Sequence, residues 1–214
     1  MVIDKESTKE RILAATEELI AEHGFDGVSL RDITGSASVN VAAVNYHFGS
    51  KEKLYEQIQL RYIVPVNDER MALLAEATAD GRVASVHEIL DAFMRPFLTM
   101  VTKSEMSERL FFKLLGRCLS DQQGQIITAM MPSLKSMAES FTQALSNACP
   151  DLPVSELTWR LHFTYGVMSN TLMHGDVMKQ FADETVPYPD FDTQIEWMID
   201  FCEAGFQAKG GDQR

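Results

Sequence analysis

Apolar residues recur at three- and four-residue intervals along most of this 214-residue chain, and no stretch alternates apolar with polar residues long enough to make a strand. That periodicity restricts the chain to an all-α fold. A first helix is expected from Ser7 or Thr8, with Ile12, Ala15, Leu19 and Ile20 on one face and Gly24 at its end. Ser29 and Asp32 have the spacing of a capping box for a short second helix that ends around Ala37 and turns Leu30 and Ile33 inwards. Asn40 can cap a third helix through about Phe48, and Ser50 opens a fourth towards Tyr62. Pro65 is expected to kink or interrupt that helix.

Further helices are expected at about 67–79, 84–102, 105–119, 122–147, 154–174 and 191–208, separated by Asp80-Gly81, Lys103-Ser104, Pro150 to Pro153 and the segment holding Pro187 and Pro189. The chain therefore divides into a small unit, residues 1–60, and a larger helical body, residues 61–214, with about nine helices in all. No repeat or low-complexity segment is present.

The formal charge of −12 argues against wholesale binding to nucleic acid or anionic lipid, so any contact with DNA must be local. No secretory signal and no run of about eighteen apolar residues appears, which makes a cytoplasmic protein without a membrane partner the expectation. Cys118, Cys149 and Cys202 are far apart and odd in number, so neither a disulfide framework nor a cysteine-based zinc site is indicated.

Within this charged composition, the eighteen residues from Ile33 to Ser50 carry no Asp, Glu, Lys or Arg. The gap coincides with the two short helices and the turn at Ser38-Val39 between them, a helix-turn-helix arrangement. A helix entering the major groove meets base edges that amides, hydroxyls and small apolar groups can read, whereas carboxylates are repelled by phosphate. Val39 and Val44 face the first helices, leaving Asn40, Val41, Ala42, Ala43, Asn45, Tyr46 and His47 outside. Ala42 and Ala43 allow close backbone approach, and Asn45 can pair with an adenine edge. Tyr46, His47 and Lys51 suit phosphate oxygens, and Thr34 and Ser38 offer hydroxyls. Lys51→Ala is thus expected to lower the salt slope of DNA binding by about one.

The span from Thr8 to Tyr55, above all "VNVAAVNYHFGSKEKL", resembles the DNA-binding domain of TetR-family transcriptional regulators, whose Tyr-His-Phe-x-x-Lys string is its most specific part. The resemblance implies a homodimer that binds a palindromic double-stranded DNA operator and is released by a small ligand held in the C-terminal body. Ser38 stands where the family usually has Gly, and Asn45 where it often has an aromatic. Residues 1–60 hold six Lys and Arg against ten Asp and Glu, a net of −4, and the acids of the first helix are expected to face away from DNA.

In the body, Phe93, Phe97, Phe111, Leu115, Met137, Phe141 and Met168 recur at helical spacing and fit either a packed core or an adaptable apolar pocket. The stretches "FFKLLGRCLSDQQGQ" and "ELTWRLHFTYGVMSN" resemble the TetR branch that includes fatty-acid-responsive regulators. That resemblance implies an apolar ligand such as a fatty acid or its thioester, with Arg117, Arg160 or His162 available to its head group. It also implies that the helices at 154–174 and 191–208 pair across a dimer axis, for which Leu157, Leu161, Tyr165, Leu172, Ile195, Met198 and Cys202 supply apolar positions.

Two other classes of protein are compatible with an all-α chain. A helical enzyme has little support, since the chain lacks GxSxG, P-loop, HExxH and DxDxDG patterns, and its five histidines show no metal-ligand spacing. No catalytic residue, metal or cofactor is therefore expected. A regulator without a small ligand, acting through a protein partner, is the other alternative.

Overall fold

The computed structural model describes residues 7–100, 110, 111, 114, 125–183 and 187–209, apart from the side chains of 125–132, 172, 173, 175 and 176. The described residues form eight α-helices and one 3-10 turn, and no strand. The expected helix at 105–119 falls outside the described residues except for Leu110, Phe111 and Leu114.

The chain divides into two compact units, residues 1–64 with 104–126, and residues 65–103 with 127–214. The first unit thus ends at residue 64 and also takes in a later segment.

In the first unit, helix α1 (Thr8–His23) starts where Ser7 accepts a hydrogen bond from the Glu10 N–H at 3.2 Å, and ends at Gly24, whose φ of 75° favours glycine. Helices α2 (Leu30–Ser36) and α3 (Val41–Phe48) follow, and α1 packs against both. Ile12, Ile20, Ile33, Val44, Leu54 and Ile58 are fully buried and form the core. Among the acids of α1, Glu17 is turned into the core. It is buried, 3.6 Å from the Arg61 guanidinium, and burial pushes its carboxyl up from the ordinary range against the pull of Arg61.

Helix α4 (Lys51–Ala77) runs through Pro65 without interruption. Pro65 loses one backbone hydrogen bond, a cost of about 3 kcal/mol in a helix interior. Past it, Val66, Arg70 and Leu74 repeat at four-residue spacing as a buried stripe, and burial of the apolar Val66 and Leu74 helps to offset the loss. The helix ends before a 3-10 turn at Ala79–Gly81, where Asp80 and Gly81 take φ of 55° and 75°.

The second unit continues with α5 (Val86–Thr99), α6 (Gln125–Ala148, in this unit from residue 127), α7 (Val154–Phe181) and α8 (Phe191–Gln207). Helix α5 packs against α8 and α7, and α7 against α8. Arg95 on α5 reaches Glu196 on α8, and Arg160 on α7 donates to the carbonyls of Gly205, Phe206 and Ala208 at the end of α8 while also pairing with Glu156. Those carbonyls have no partner within their own helix, so Arg160 supplies the missing donors.

Candidate nucleic-acid interface

The candidate interface is built by three caps in succession. Ser29 and Asp32 complete the capping box at the start of α2: the Ser29 N–H donates to the Asp32 carboxylate at 2.8 Å and the Asp32 N–H donates to the Ser29 hydroxyl at 3.3 Å. The hydroxyl and N–H of Ser29 hold the Asp32 carboxyl below its usual range. Asn40 accepts from the Ala43 N–H at 2.9 Å and starts α3, and Ser50 accepts from the Lys53 N–H at 3.2 Å at the start of α4. Between α2 and α3 the chain reverses at Ser38, whose φ of 52° is the left-handed region that most side chains avoid. The Val39 N–H donates to the Thr34 carbonyl at 3.0 Å and holds the turn closed.

This sets the rotation of α3. Val44 and Phe48 are buried, while Val41, Ala42, Asn45, Tyr46 and His47 are exposed and Ala43 is half-buried. Tyr46 is 85% exposed, its ring edge-on to His47 with centroids 5.1 Å apart. A tyrosine that open makes no contribution to its own core. The outward face of α3 thus offers an amide, a phenol, an imidazole and small apolar groups, with no carboxylate. Asn40 is exposed, but its carbonyl oxygen is committed to the cap, leaving the amide N–H groups outward.

Two of the expected DNA-facing residues are placed otherwise. Thr34 is buried and its hydroxyl donates to the Arg31 carbonyl at 3.2 Å, because its position on α2 turns it towards the core. Lys51 is half-buried; its ammonium donates to the Phe25 carbonyl and lies over the Phe25 ring, so it is engaged within the protein rather than extended into solvent. Ser38 is exposed.

The expected ligand positions also separate. Phe93, Phe97, Met137, Phe141 and Met168 are buried in the second unit, with the Phe93 and Phe141 rings edge-to-face at 5.2 Å. Phe111 is buried in the first unit against Tyr62, and Leu115 lies outside the described residues. His162 is exposed, stacked edge-on against Trp159, and so faces away from that core. Arg160 is taken up by the end of α8 and by Glu156, which removes it as a head-group partner; Arg117 lies outside the described residues. Of two described cavities, one of about 440 Å³ lies between the C-terminal half of α7 and the start of α8, bounded by His174, Phe181, Tyr188 and Trp197; the other, about 860 Å³, opens beside Cys149 and Lys209. Among the described residues, none of the expected ligand positions lines either.

The positions assigned to a dimer face are mostly turned inward. Leu157, Leu161, Ile195, Met198 and Cys202 are buried in the core of their own subunit, and Tyr165 is half-buried. The side chain of Leu172 lies outside the described residues. The same two helices instead expose Trp159 and Phe163 on α7 and Trp197 and Phe201 on α8, each pair four residues apart and each residue 60% exposed or more. Both sides of these helices are apolar, so spacing alone does not show which side turns outward.

One further cluster brings together residues remote in sequence. His87 on α5 and Asp200 and Glu203 on α8 place possible metal-ligating atoms within 4.8 Å of one another, with His87 Nδ1 already 3.2 Å from Glu203. No helix among the described residues is long and apolar enough to cross a membrane.

Two short capped helices closed by a tight turn, in a chain that also holds a larger helical unit, define the class of helix-turn-helix regulators. Residues 12–58 match the family described as bacterial regulatory proteins, tetR family, and residues 91–205 match the tetracyclin repressor-like C-terminal domain. The chain belongs to the TetR family, whose members are DNA-binding transcriptional regulators rather than enzymes. It is 26% identical over 110 residues to the biofilm operon icaADBC HTH-type negative transcriptional regulator IcaR of Staphylococcus aureus, a match that covers 48% of this chain and 59% of that one. It is 43% identical over 54 residues to the probable HTH-type transcriptional regulator YttP of Bacillus subtilis, covering 25% of this chain and 26% of that one. The match thus spans little more than half of the first relative and about a quarter of the second. In fold, the chain is similar to a TetR-like transcriptional regulator from Rhodococcus sp. RHA1, with a TM-score of 0.66 at 16% identity over 97% of this chain and 100% of that one. It is similar also to NalD of Pseudomonas aeruginosa, described as the secondary repressor of the MexAB-OprM multidrug efflux pump, with a TM-score of 0.63 at 20% identity over 94% and 96%.

Proposed function

We propose that this protein is a ligand-controlled, homodimeric DNA-binding repressor that acts in the cytoplasm and leaves a palindromic operator when a small apolar ligand occupies its body. The observation that carries the DNA-binding part is the exposed, carboxylate-free face of α3, held in one rotation by Val44 and Phe48. Asn45 is its best base-reading group, since an amide can donate to and accept from an adenine edge at once. Ser38, Asn40, Val41, Ala42, Ala43, Tyr46 and His47 complete the surface.

The dimer reading draws on Trp159, Phe163, Trp197 and Phe201. Four large rings left open on two adjacent helices form the kind of apolar patch that marks an interaction surface. Helices α7 and α8 pairing with their copies about a two-fold axis set the two α3 helices about one DNA turn apart, roughly 34 to 36 Å or a little more. The repressor sense is favoured by the likeness to IcaR and NalD, a negative regulator and a repressor by description. A fatty acid or acyl thioester is the ligand class favoured by the sequence of the body, where residues 61–214 supply ligand binding and dimerisation.

Selection of genomic DNA fragments by the purified protein at about 100 to 150 mM salt, where non-specific phosphate contacts are weakened, tests this reading. Enrichment of a palindrome supports it; recovery of no preferred sequence, with and without added fatty acid, rejects it.

A further inference from the structure

Arg70 on α4 is buried, only 5% exposed, and forms no ion pair with an Asp or Glu among the described residues. Its Nε donates to the Phe93 carbonyl at 2.7 Å and its Nη1 to the Asn67 side-chain oxygen at 3.2 Å. Among the described residues its Nη2 has only the Met168 sulfur, at 3.8 Å. A thioether is a weak acceptor, and the two Nη nitrogens carry four N–H groups between them. The Phe93 and Phe97 rings lie 4.4 and 5.5 Å from the guanidinium carbon and offer their π-faces, which soften the charge without neutralising it. Burial draws its pKa down to about 10, which still leaves the group cationic at neutral pH. Among the described residues, a whole positive charge is thus held inside a largely apolar cluster with two neutral oxygens and a sulfur as its hydrogen-bond partners and the Tyr165 phenol nearby, an arrangement that calls for a counter-ion.

We propose that Arg70 is the receptor for the carboxylate of a ligand with an apolar body, which enters on the Met168 side of the guanidinium and lies against Phe93 and Phe97. The proposal rests on the reading of the helical body as a ligand-binding unit and adds the charge of the ligand and the residue that recognises it. A carboxylate fits for three reasons. Its single negative charge matches the single uncompensated positive one, whereas a phosphate dianion leaves an excess. Its two oxygens suit the planar fork of N–H donors. The Phe93 and Phe97 rings and the Met168 thioether accept a hydrocarbon body, while the polar groups at hand, Asn67 and the Tyr165 phenol, belong to the guanidinium end. Entry requires Met168 to swing aside, and its unbranched side chain with three rotatable bonds can do so. Neither His162, which is exposed, nor Arg160, which is bound to the end of α8, can play this part.

The test compares dodecanoate with dodecanol, equal in chain length and different in charge, by calorimetry on the full-length protein. Dodecanoate is expected to bind at least tenfold more tightly than dodecanol. Arg70→Met, which keeps the length of the side chain and removes its charge, is expected to abolish that preference while retaining dodecanol binding; Arg70→Lys is expected to keep part of it. Equal binding of acid and alcohol by the parent protein overturns the proposal without any variant and leaves the ligand-binding reading intact. An acid preference that survives in Arg70→Met also overturns it, placing the anion elsewhere. Binding of neither probe removes the proposal together with the apolar-ligand reading on which it rests.

Discussion

The Lys51 ammonium donates a 2.5 Å hydrogen bond to the Phe25 carbonyl and lies 4.0 Å from the centroid of the Phe25 ring, while that ring stacks on Tyr55 at 4.8 Å. The first turn of α4 is thereby tied to the segment that follows α1. Lys51→Met, which keeps the aliphatic stem, is expected to destabilise the first unit by about 1 to 2 kcal/mol through the lost charged hydrogen bond and ring contact. If Lys51 instead spends its charge on phosphate, the salt slope of DNA binding drops by about one and denaturant unfolding hardly changes. Running both titrations on the variant separates the two roles.

Asn45→Ala is expected to cost about 1 to 3 kcal/mol of discrimination between the selected operator and scrambled DNA, with little effect on melting temperature because the side chain is exposed. Fluorescence anisotropy against both DNAs measures this, and an unchanged ratio places base reading elsewhere.

Ser38 occupies the left-handed region at φ 52°, where a Cβ costs roughly 1 to 2 kcal/mol. Ser38→Gly is expected to stabilise the turn by about 0.5 to 1 kcal/mol, a little less than the full relief because glycine also loosens the unfolded chain. Urea unfolding of parent and variant measures this difference. A less stable variant means that the Ser38 hydroxyl contributes more than its backbone costs.

Glu88 accepts from the Ser85 N–H and hydroxyl and from Arg82, and these contacts, the Ser85 N–H first, bring its carboxyl down to about 2. A carboxylate whose folded pKa lies below its unfolded one stabilises the fold fully above the unfolded value, near 4.5, and loses that contribution as pH falls towards 2. Melting temperature followed from pH 6 to pH 2.5 is expected to fall less steeply in Glu88→Gln than in the parent, with the gap between the two narrowing in acid. Parallel curves show that other groups govern the acid limb.

Phe201→Glu places a charge in the middle of the open aromatic face. Sedimentation is expected to show a monomer at concentrations where the parent is a dimer, with operator affinity reduced at least a hundredfold because one half-site alone is engaged. A dimeric Phe201→Glu shifts the interface to another face.

What the sequence made legible follows from how local each determinant is. The starts of α1, α2 and α3 are set by Ser7, Ser29 and Asn40 acting on N–H groups three residues away, and the inward turn of Val44 and Phe48 follows from four-residue spacing. Thr34 went the other way, because a hydroxyl on a seven-residue helix can satisfy itself on its own backbone and be buried. Helices α7 and α8 defeated a reading by periodicity for a different reason. Leu157 and Leu161 face in while Trp159 and Phe163 face out, and a helix apolar on both sides has no preferred side. Arg70 was hidden in the run Asn67-Asp68-Glu69-Arg70, which looks like solvated surface; only its register with Val66 and Leu74 betrays it. His87 and Glu203 meet across a sequence separation of 116, which no local pattern reveals.

Helix α3 commits Val44 and Phe48 to the core and leaves the exposed Val41, Ala42, Asn45, Tyr46 and His47 without a share in it. Evolution can therefore rewrite that face at small expense to folding. If that face reads DNA as proposed, a duplicated copy of this gene acquires a new target site by exchanging a few outward side chains, while the capped turn beneath them passes unchanged from parent to descendant.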